Sequence, residues 1–255
     1  MKKWWIGCSG FSYKHWKGRF YPEGVPQKKW LEYYCEHFNT VELNVTFYRV
    51  PKLETFKGWH DRTPQDFKFT VKAPRLITHY KRFKNITSEV QDFYKIVTDG
   101  LGSKLGTVLF QLHPRFVYSE ENIEVLLKHL DAAYANVVEF RHESWWNGTV
   151  YKVLKEHNIT FCGISYPALP DDVLKTASTV YYRFHGVPKL YLSPYSTEKL
   201  DQVSANIKAY RGVEEVYIYF NNDIDVHAIY NAKTFRETLA RKTSMSSQAS
   251  LHSPT

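Results

Sequence analysis

Short runs rich in β-branched and aromatic residues alternate with longer stretches of helical period eight times along this 255-residue chain. No other feature of the sequence narrows the fold as far. Expected strands lie at 4–8, 40–46, 67–72, 107–112, 136–141, 160–164, 180–184 and 215–220. Expected helices lie at 28–37, 52–62, 87–98, 120–135, 149–157, 170–176, 198–210 and 226–241, of which 170–176 is short. In the first, Trp30, Leu31, Tyr34 and Phe38 recur on one face, as packing against a sheet requires. Strict alternation forces parallel strands joined by right-handed crossovers, and eight such units fit the usual size of a closed (β/α)8 barrel of TIM type, in the α/β class. An open doubly wound sheet would have two edges and would more often carry a Gly-rich phosphate turn after its first strand. Gly7-Cys8-Ser9-Gly10 lacks that spacing. One barrel domain over 1–242 is expected, followed by a disordered Ser-rich tail at 243–255.

Buried parallel strands are apolar on both faces, so polar residues recurring at alternate positions need a reason. In 40–48, Val41, Leu43, Val45 and Phe47 form one face and Glu42, Asn44, Thr46 and Tyr48 the other. If the apolar set meets the helices, the polar set points into the barrel. The same parity sends Lys72, Glu139, Arg141, Arg183, His185 and Asn221 inward, and Ser9 and Gln111 with them. These positions fall mostly at the C-terminal ends of strands, where barrel enzymes place their active sites. The loops leaving the strands are also the long ones. The first carries Phe11, Tyr13, His15, Trp16, Phe20 and Tyr21 among Lys14, Lys17 and Arg19; the third carries Arg75, His79, Tyr80, Lys81 and Arg82; the fifth carries His142, Trp145 and Trp146. Rings interleaved with cations can stack on sugars or bases while holding phosphates, or can be packing of a lid.

Several classes are disfavoured. No apolar run approaches the length of a membrane span, and 1–10 lacks the apolar stretch of a signal peptide, so no membrane partner and a cytoplasmic location are expected. Cys8, Cys35 and Cys162 are an odd number with no C-x-x-C spacing and sit in apolar segments, which fits small buried hydrophobes. No two histidines share the spacing of a helical zinc pair, and no Gly-x-Ser-x-Gly elbow or Walker loop is present. No metal and no cofactor are therefore expected. The formal charge of +8 favours anionic partners without choosing among them.

Gly7-Cys8-Ser9-Gly10-Phe11-Ser12-Tyr13 with Trp16 and Phe20-Tyr21-Pro22, then Thr40-Val41-Glu42-Leu43-Asn44 with Thr46-Phe47-Tyr48-Arg49, resemble the YecE-like family, a domain of unknown function. Further matches are Val71-Lys72-Ala73-Pro74, Thr78-His79, Val138-Glu139-Phe140-Arg141-His142 with Ser144-Trp145, Tyr182-Arg183-Phe184-His185-Gly186 and Phe220-Asn221-Asn222. The resemblance implies a TIM-type barrel and no particular activity. Two positions depart from it: His113 in Gln111-Leu112-His113-Pro114, where the family usually has proline, and Ser165, where many members have aspartate.

The expected function is an enzyme, a hydrolase or lyase using glutamate acid–base chemistry on a polar, anionic substrate such as a phosphorylated sugar or nucleotide derivative. Glu139, beside cations, is expected to stay ionised, Glu42 to act as acid, and His185 to be the alternative proton carrier. Ser9, Tyr13, Trp16, Asn44, Tyr48, Lys72, His79, Gln111, Arg141, His142, Trp145, Arg183 and Asn221 are expected to bind substrate. Two other readings are a nucleic-acid-binding or nucleic-acid-processing protein, and a non-catalytic ligand-binding barrel.

Overall fold

Eight β-branched and aromatic runs become eight parallel strands: β1 (Lys3–Cys8), β2 (Thr40–Leu43), β3 (Lys68–Lys72), β4 (Leu105–Gln111), β5 (Asn136–Glu139), β6 (Thr160–Ser165), β7 (Thr179–Phe184) and β8 (Glu215–Phe220). The computed structural model describes residues 2–249, the side chains of 242–249 apart. The strands bond in the order β1-β8-β7-β6-β5-β4-β3-β2, and a bridge between Ser9 and Glu42 brings the two ends together. The result is a single, nearly closed barrel of (β/α)8 TIM type. Around it run α1 (Trp30–Cys35), α2 (Val45–Tyr48), α3 (Leu53–Asp61), α4 (Thr87–Leu101), α5 (Glu120–His129), α6 (Gly148–Glu156), α7 (Thr197–Ala209) and α8 (His227–Ala249). The expected tail boundary at 242/243 falls within α8, and 250–255 lie outside the described residues.

Side chains rather than a full backbone ladder close the β1–β2 seam. Asn39 accepts from the Ile6 amide at 3.1 Å and donates to the Trp4 carbonyl at 2.9 Å. Tyr34 accepts from the Cys8 amide at 2.7 Å and donates to the Thr40 carbonyl at 3.0 Å. Backbone groups that would otherwise face a gap are thereby paired. Gly7 is required here, because a Cβ would sit 2.1 Å from the Thr40 carbonyl oxygen.

Two expectations fail locally. No helix forms at 170–176 among the described residues; the β6–β7 connection is an irregular strap. Pro167 and Pro170 interrupt the backbone bonding that a helix would need, and the strap lies against β6 at Gly163, whose Cβ would meet the Asp172 carbonyl at 2.6 Å. Thr176 fastens it, accepting from the Phe161 amide and donating to the Ile159 carbonyl. The strand expected at 40–46 also ends early, at Leu43, and α2 begins at Val45.

Alternation sorts the strand side chains into two cores. Val41, Phe69, Val71, Val108, Phe110, Val138 and Phe140 face outward and pack beneath the helices. Leu109, Val137, Cys162, Ile164, Tyr181, Tyr217 and Tyr219, with Trp5 against them, fill the barrel. Tyr181, Tyr217 and Tyr219 are thus packing inside the barrel, while most of the buried aromatic residues pack in the outer core. Among the described residues no helix is long and apolar enough to cross a membrane.

Candidate functional site

Beside the apolar filling the interior holds a group of polar side chains. Tyr219 bonds Thr40 at 2.6 Å and Thr70 at 2.9 Å, and Thr70 bonds Thr107 at 2.7 Å. A second group is charged. Arg183, from β7, donates to Glu42 at 2.6 Å and to Glu139 at 2.5 Å, so one guanidinium spans two carboxylates from opposite sides of the barrel. Tyr181, two residues earlier on the same face, donates to the second Glu42 oxygen at 2.5 Å. Arg141 binds the remaining Glu139 oxygen through Nε and Nη2. Ser9 Oγ lies 3.4 Å from Arg183.

These partners set the protonation states. Burial alone would raise the Glu139 carboxyl, but Arg141 and Arg183 outweigh it and hold Glu139 well below the usual carboxylate range. His185 moves the other way: burial, then Arg141 and Arg183, push its imidazole well below its ordinary value. Its Nε2 lies 3.1 Å from Arg141 and 3.3 Å from Arg183, which are donors only, so that nitrogen accepts. The expectation that His185 titrates near neutrality is thus corrected, because two guanidinium groups facing one imidazole keep it neutral. Its Nδ1 lies 3.1 Å from the Asn221 amide.

Lys72 ends β3 on the same interior face. Its Nζ donates to Gln111 at 2.5 Å and stands 4.2 Å from the centre of the Phe47 ring. Among the described residues no carboxylate pairs with it, although the side chain is only 8 % exposed. Burial, then Arg183, lowers its amine from 10.5 to about 7, with Glu139 and Glu42 opposing. Arg141, 9 % exposed, stacks 4.1 Å over Tyr166. Gln111 and Asn221 are half-buried beside them. The carboxylates of Glu42 and Glu139 are fully enclosed, and Lys72 and Arg141 keep only 8 % and 9 % exposure. The least enclosed charges of the interior are therefore cations, with the glutamates behind them. A guanidinium fills the space between the carboxylates that a sugar ring would need for paired-glutamate chemistry.

The rest of the expected set divides. Tyr13, Asn44 and Tyr48 line a cavity of about 440 Å³ beside the β1 and β2 ends. Asn44 Oδ1 is buried there without a partner among the described residues, and Tyr13 donates to the Ser9 carbonyl. Tyr48 does not point into the barrel as strand parity implied: the turn into α2 leaves it 67 % exposed. The same turn carries Phe47, assigned to the outer face, in under Lys72. His79 sits between the rings of Phe47 and His113, with its imidazole lowered to about 4 by burial, His113 and Lys72. His142 accepts from the Ser144 amide as a loop cap. Trp16 and Trp145 are completely buried, with their indole N–H groups satisfied by the carbonyls of Asp223 and Phe116. They are packing, not ligand platforms. Tyr181 could have been recognised by carrying the β7 alternation back two residues, while Tyr166 and Phe47 lie in segments where alternation has stopped. No three His, Cys, Asp or Glu side chains among the described residues are placed to hold a metal ion.

The model for the family described as "Protein of unknown function DUF72" matches residues 5–254. The chain belongs to the DUF72 family. It is 27% identical over 252 residues to the UPF0759 protein YunF of Bacillus subtilis, covering 86% of this chain and 89% of that one. It is 31% identical over 136 residues to the UPF0759 protein YecE of Escherichia coli K12, about half of each chain. A DUF72 protein from Thermotoga maritima, known from its crystal structure, superposes with a TM-score of 0.85 at 32% identity, covering 93% of this chain and 99% of that one. DUF72 thus carries the same barrel in a solved relative.

Proposed function

We propose that this DUF72 protein is an acid–base enzyme, of hydrolase or lyase type, for a small anionic substrate such as a phosphorylated sugar or nucleotide derivative. The substrate enters at the C-terminal mouth of the barrel, Arg141 holds its anionic group, and Lys72 carries the proton. The supporting observation is Lys72 itself: a nearly buried amine, bonded to a neutral amide and with no carboxylate partner among the described residues, which burial lowers from 10.5 to about 7. A buried cation without a counter-ion is expensive, and an arriving anion supplies what it lacks. At neutral pH a large fraction of the amine is free to accept a proton, which matches a general base to its working pH. Glu139 and Arg183 hold Arg141 and the interior face rigid, and neutral His185 orients the guanidinium groups. Carboxylate-centred chemistry is less well supported, since both glutamates are enclosed.

The test is an NMR titration of protein carrying 13C-labelled lysine. One resonance is expected to titrate near pH 7, to vanish in Lys72→Met, and to move to higher pH when inorganic phosphate is added. A chain in which every lysine titrates at 10 or above has no such amine, and the reading falls. A positive result directs a turnover screen of phosphosugars and nucleotides against wild type and Lys72→Met.

A further inference from the structure

A second charged feature lies outside the barrel mouth. The β3–α4 loop and the β4–α5 loop enclose a cavity of about 380 Å³ lined by Tyr80, Lys81, Arg82, Lys84, Arg115, Phe116 and Asn122. Four of these seven are cations and none is acidic. Among the described residues none of the four is ion-paired with a carboxylate. The backbone is bent to produce this display. Arg82, Phe83 and Asn85 all have positive φ, of 46°, 61° and 50°, a conformation that costs side-chain-bearing residues energy and persists only where the surroundings enforce it. Phe83 is the anchor, buried against Phe110 and Phe116, so its neighbours Arg82 and Lys84 are turned toward the cavity. Beyond Tyr80 the surface continues as Arg75, whose guanidinium lies 5.4 Å from the Tyr80 ring and 5.5 Å from the Tyr48 ring. Those two tyrosines are 65 % and 67 % exposed.

We propose that this strip, from Tyr48 through Arg75 and Tyr80 to the cavity of Lys81, Arg82, Lys84 and Arg115, binds single-stranded nucleic acid, with phosphates on the cations and bases stacked on the exposed tyrosines. Charge matching favours a strand over a single phosphate ester. One ester carries a charge of about −1.5 to −2, whereas four unpaired cations in the cavity and Arg75 beside it need several phosphates at intervals. Exposed rings alternating with cations are the usual surface for a strand read without sequence preference. The assignment is independent of the chemistry at Lys72.

Fluorescence anisotropy with a labelled 20-nucleotide oligo(dT) tests it. With four phosphate contacts at about 0.7 released ions each, log affinity against log salt has a slope of about −3, so raising salt from 50 to 200 mM weakens binding about 50-fold. Lys84→Ala with Arg115→Ala is expected to reduce that slope by about 1.4, and Tyr80→Ala to weaken binding about fivefold or more. Lys152→Ala with Lys155→Ala, removing the same charge from exposed positions on α6, should leave both unchanged. No binding at 20 mM salt overturns the proposal. So does equal weakening by the α6 pair, which would mean attraction by net charge alone, and so does full competition by equimolar UMP, which would mean a site for a small phosphate ester.

Discussion

Replacing Lys72 with methionine keeps most of the length of the side chain beside Phe47 and removes an amine that burial lowers to about 7. The consequence can be worked from the direction of its shift. In the unfolded chain the amine has its ordinary value of 10.5; in the folded protein it falls to about 7. Between those pH values the unfolded chain holds a proton that the folded chain has shed, so the wild-type protein gains stability as pH rises through the window. Below pH 7 both states are protonated, and folding bears the full cost of enclosing an ammonium. At about 1.4 kcal/mol for each pH unit, that cost is about 5 kcal/mol. Methionine does not titrate. The stability of Lys72→Met minus that of wild type should therefore be greatest at pH 7 and below, and should shrink by about 3 kcal/mol between pH 7 and 9.5. Its absolute value at pH 7 is less informative. The variant also loses the Gln111 hydrogen bond and the cation–ring contact, about 1–3 and 0.5–2 kcal/mol. The assay is urea unfolding of both proteins at pH 6.5, 7.5, 8.5 and 9.5, with equal m values required so that midpoints report stability alone. All other titrating groups are common to the pair and cancel. Two parallel stability curves, with a difference unchanged from pH 7 to 9.5, would refute the reasoning, since Lys72 would then titrate as an ordinary solvated lysine.

Arg183→Met should cost about 3–5 kcal/mol by urea unfolding, because it strands Glu42 and Glu139 as enclosed carboxylates that have lost their shared partner. Adding Glu42→Gln, which neutralises the carboxylate that no other cation pairs among the described residues, should recover part of that loss; a double variant no more stable than Arg183→Met would show that the guanidinium acts by something other than neutralising Glu42. The thiols of Cys8 and Cys162 are pushed well up by burial, and that of Cys35 to about 12. A thiol-disulfide reagent at pH 8 should accordingly titrate no cysteine rapidly in the native protein and all three after denaturation, and a rapid native equivalent would contradict this burial.

The barrel was legible because the cause of the pattern is local and repeated eight times: a strand buried on both faces, then a helix with one apolar stripe. Inward placement of Lys72, Glu139, Arg141, Arg183 and His185 was legible for a related reason, since side chains on one strand must alternate. The rule stopped working where a strand gave way to a helix. At Asn44 the backbone leaves the extended conformation, and from Val45 a helical turn exchanges the fates of Phe47 and Tyr48. Trp16 and Trp145 misled in another way. Aromatic residues among cations are the composition of a ligand platform and also of a packed loop, and only the burial of the ring with its N–H bonded to a carbonyl separates the two. The protonation of His185 was hidden because it depends on Arg141, 44 positions away in the chain and 3.1 Å away in space.

The charged level is hard to explain as a stabilising device. Enclosing Arg183 with two carboxylates requires stripping water from three ions, and replacing such a triad by apolar residues of similar volume is often neutral or favourable. The chain uses the apolar solution elsewhere in the barrel interior, with Leu109, Val137 and Ile164. Ions appear only as the strands approach their C-terminal ends, and there their arrangement has a direction. The carboxylates are innermost, Arg183 ties them together, Arg141 is held by Glu139, and among the described residues Lys72 stands without an acid of its own. A network closed for stability would pair its last cation. The proposed function accounts for the cost of that buried charge, because the cation left unpaired is the group that a bound anion would pair.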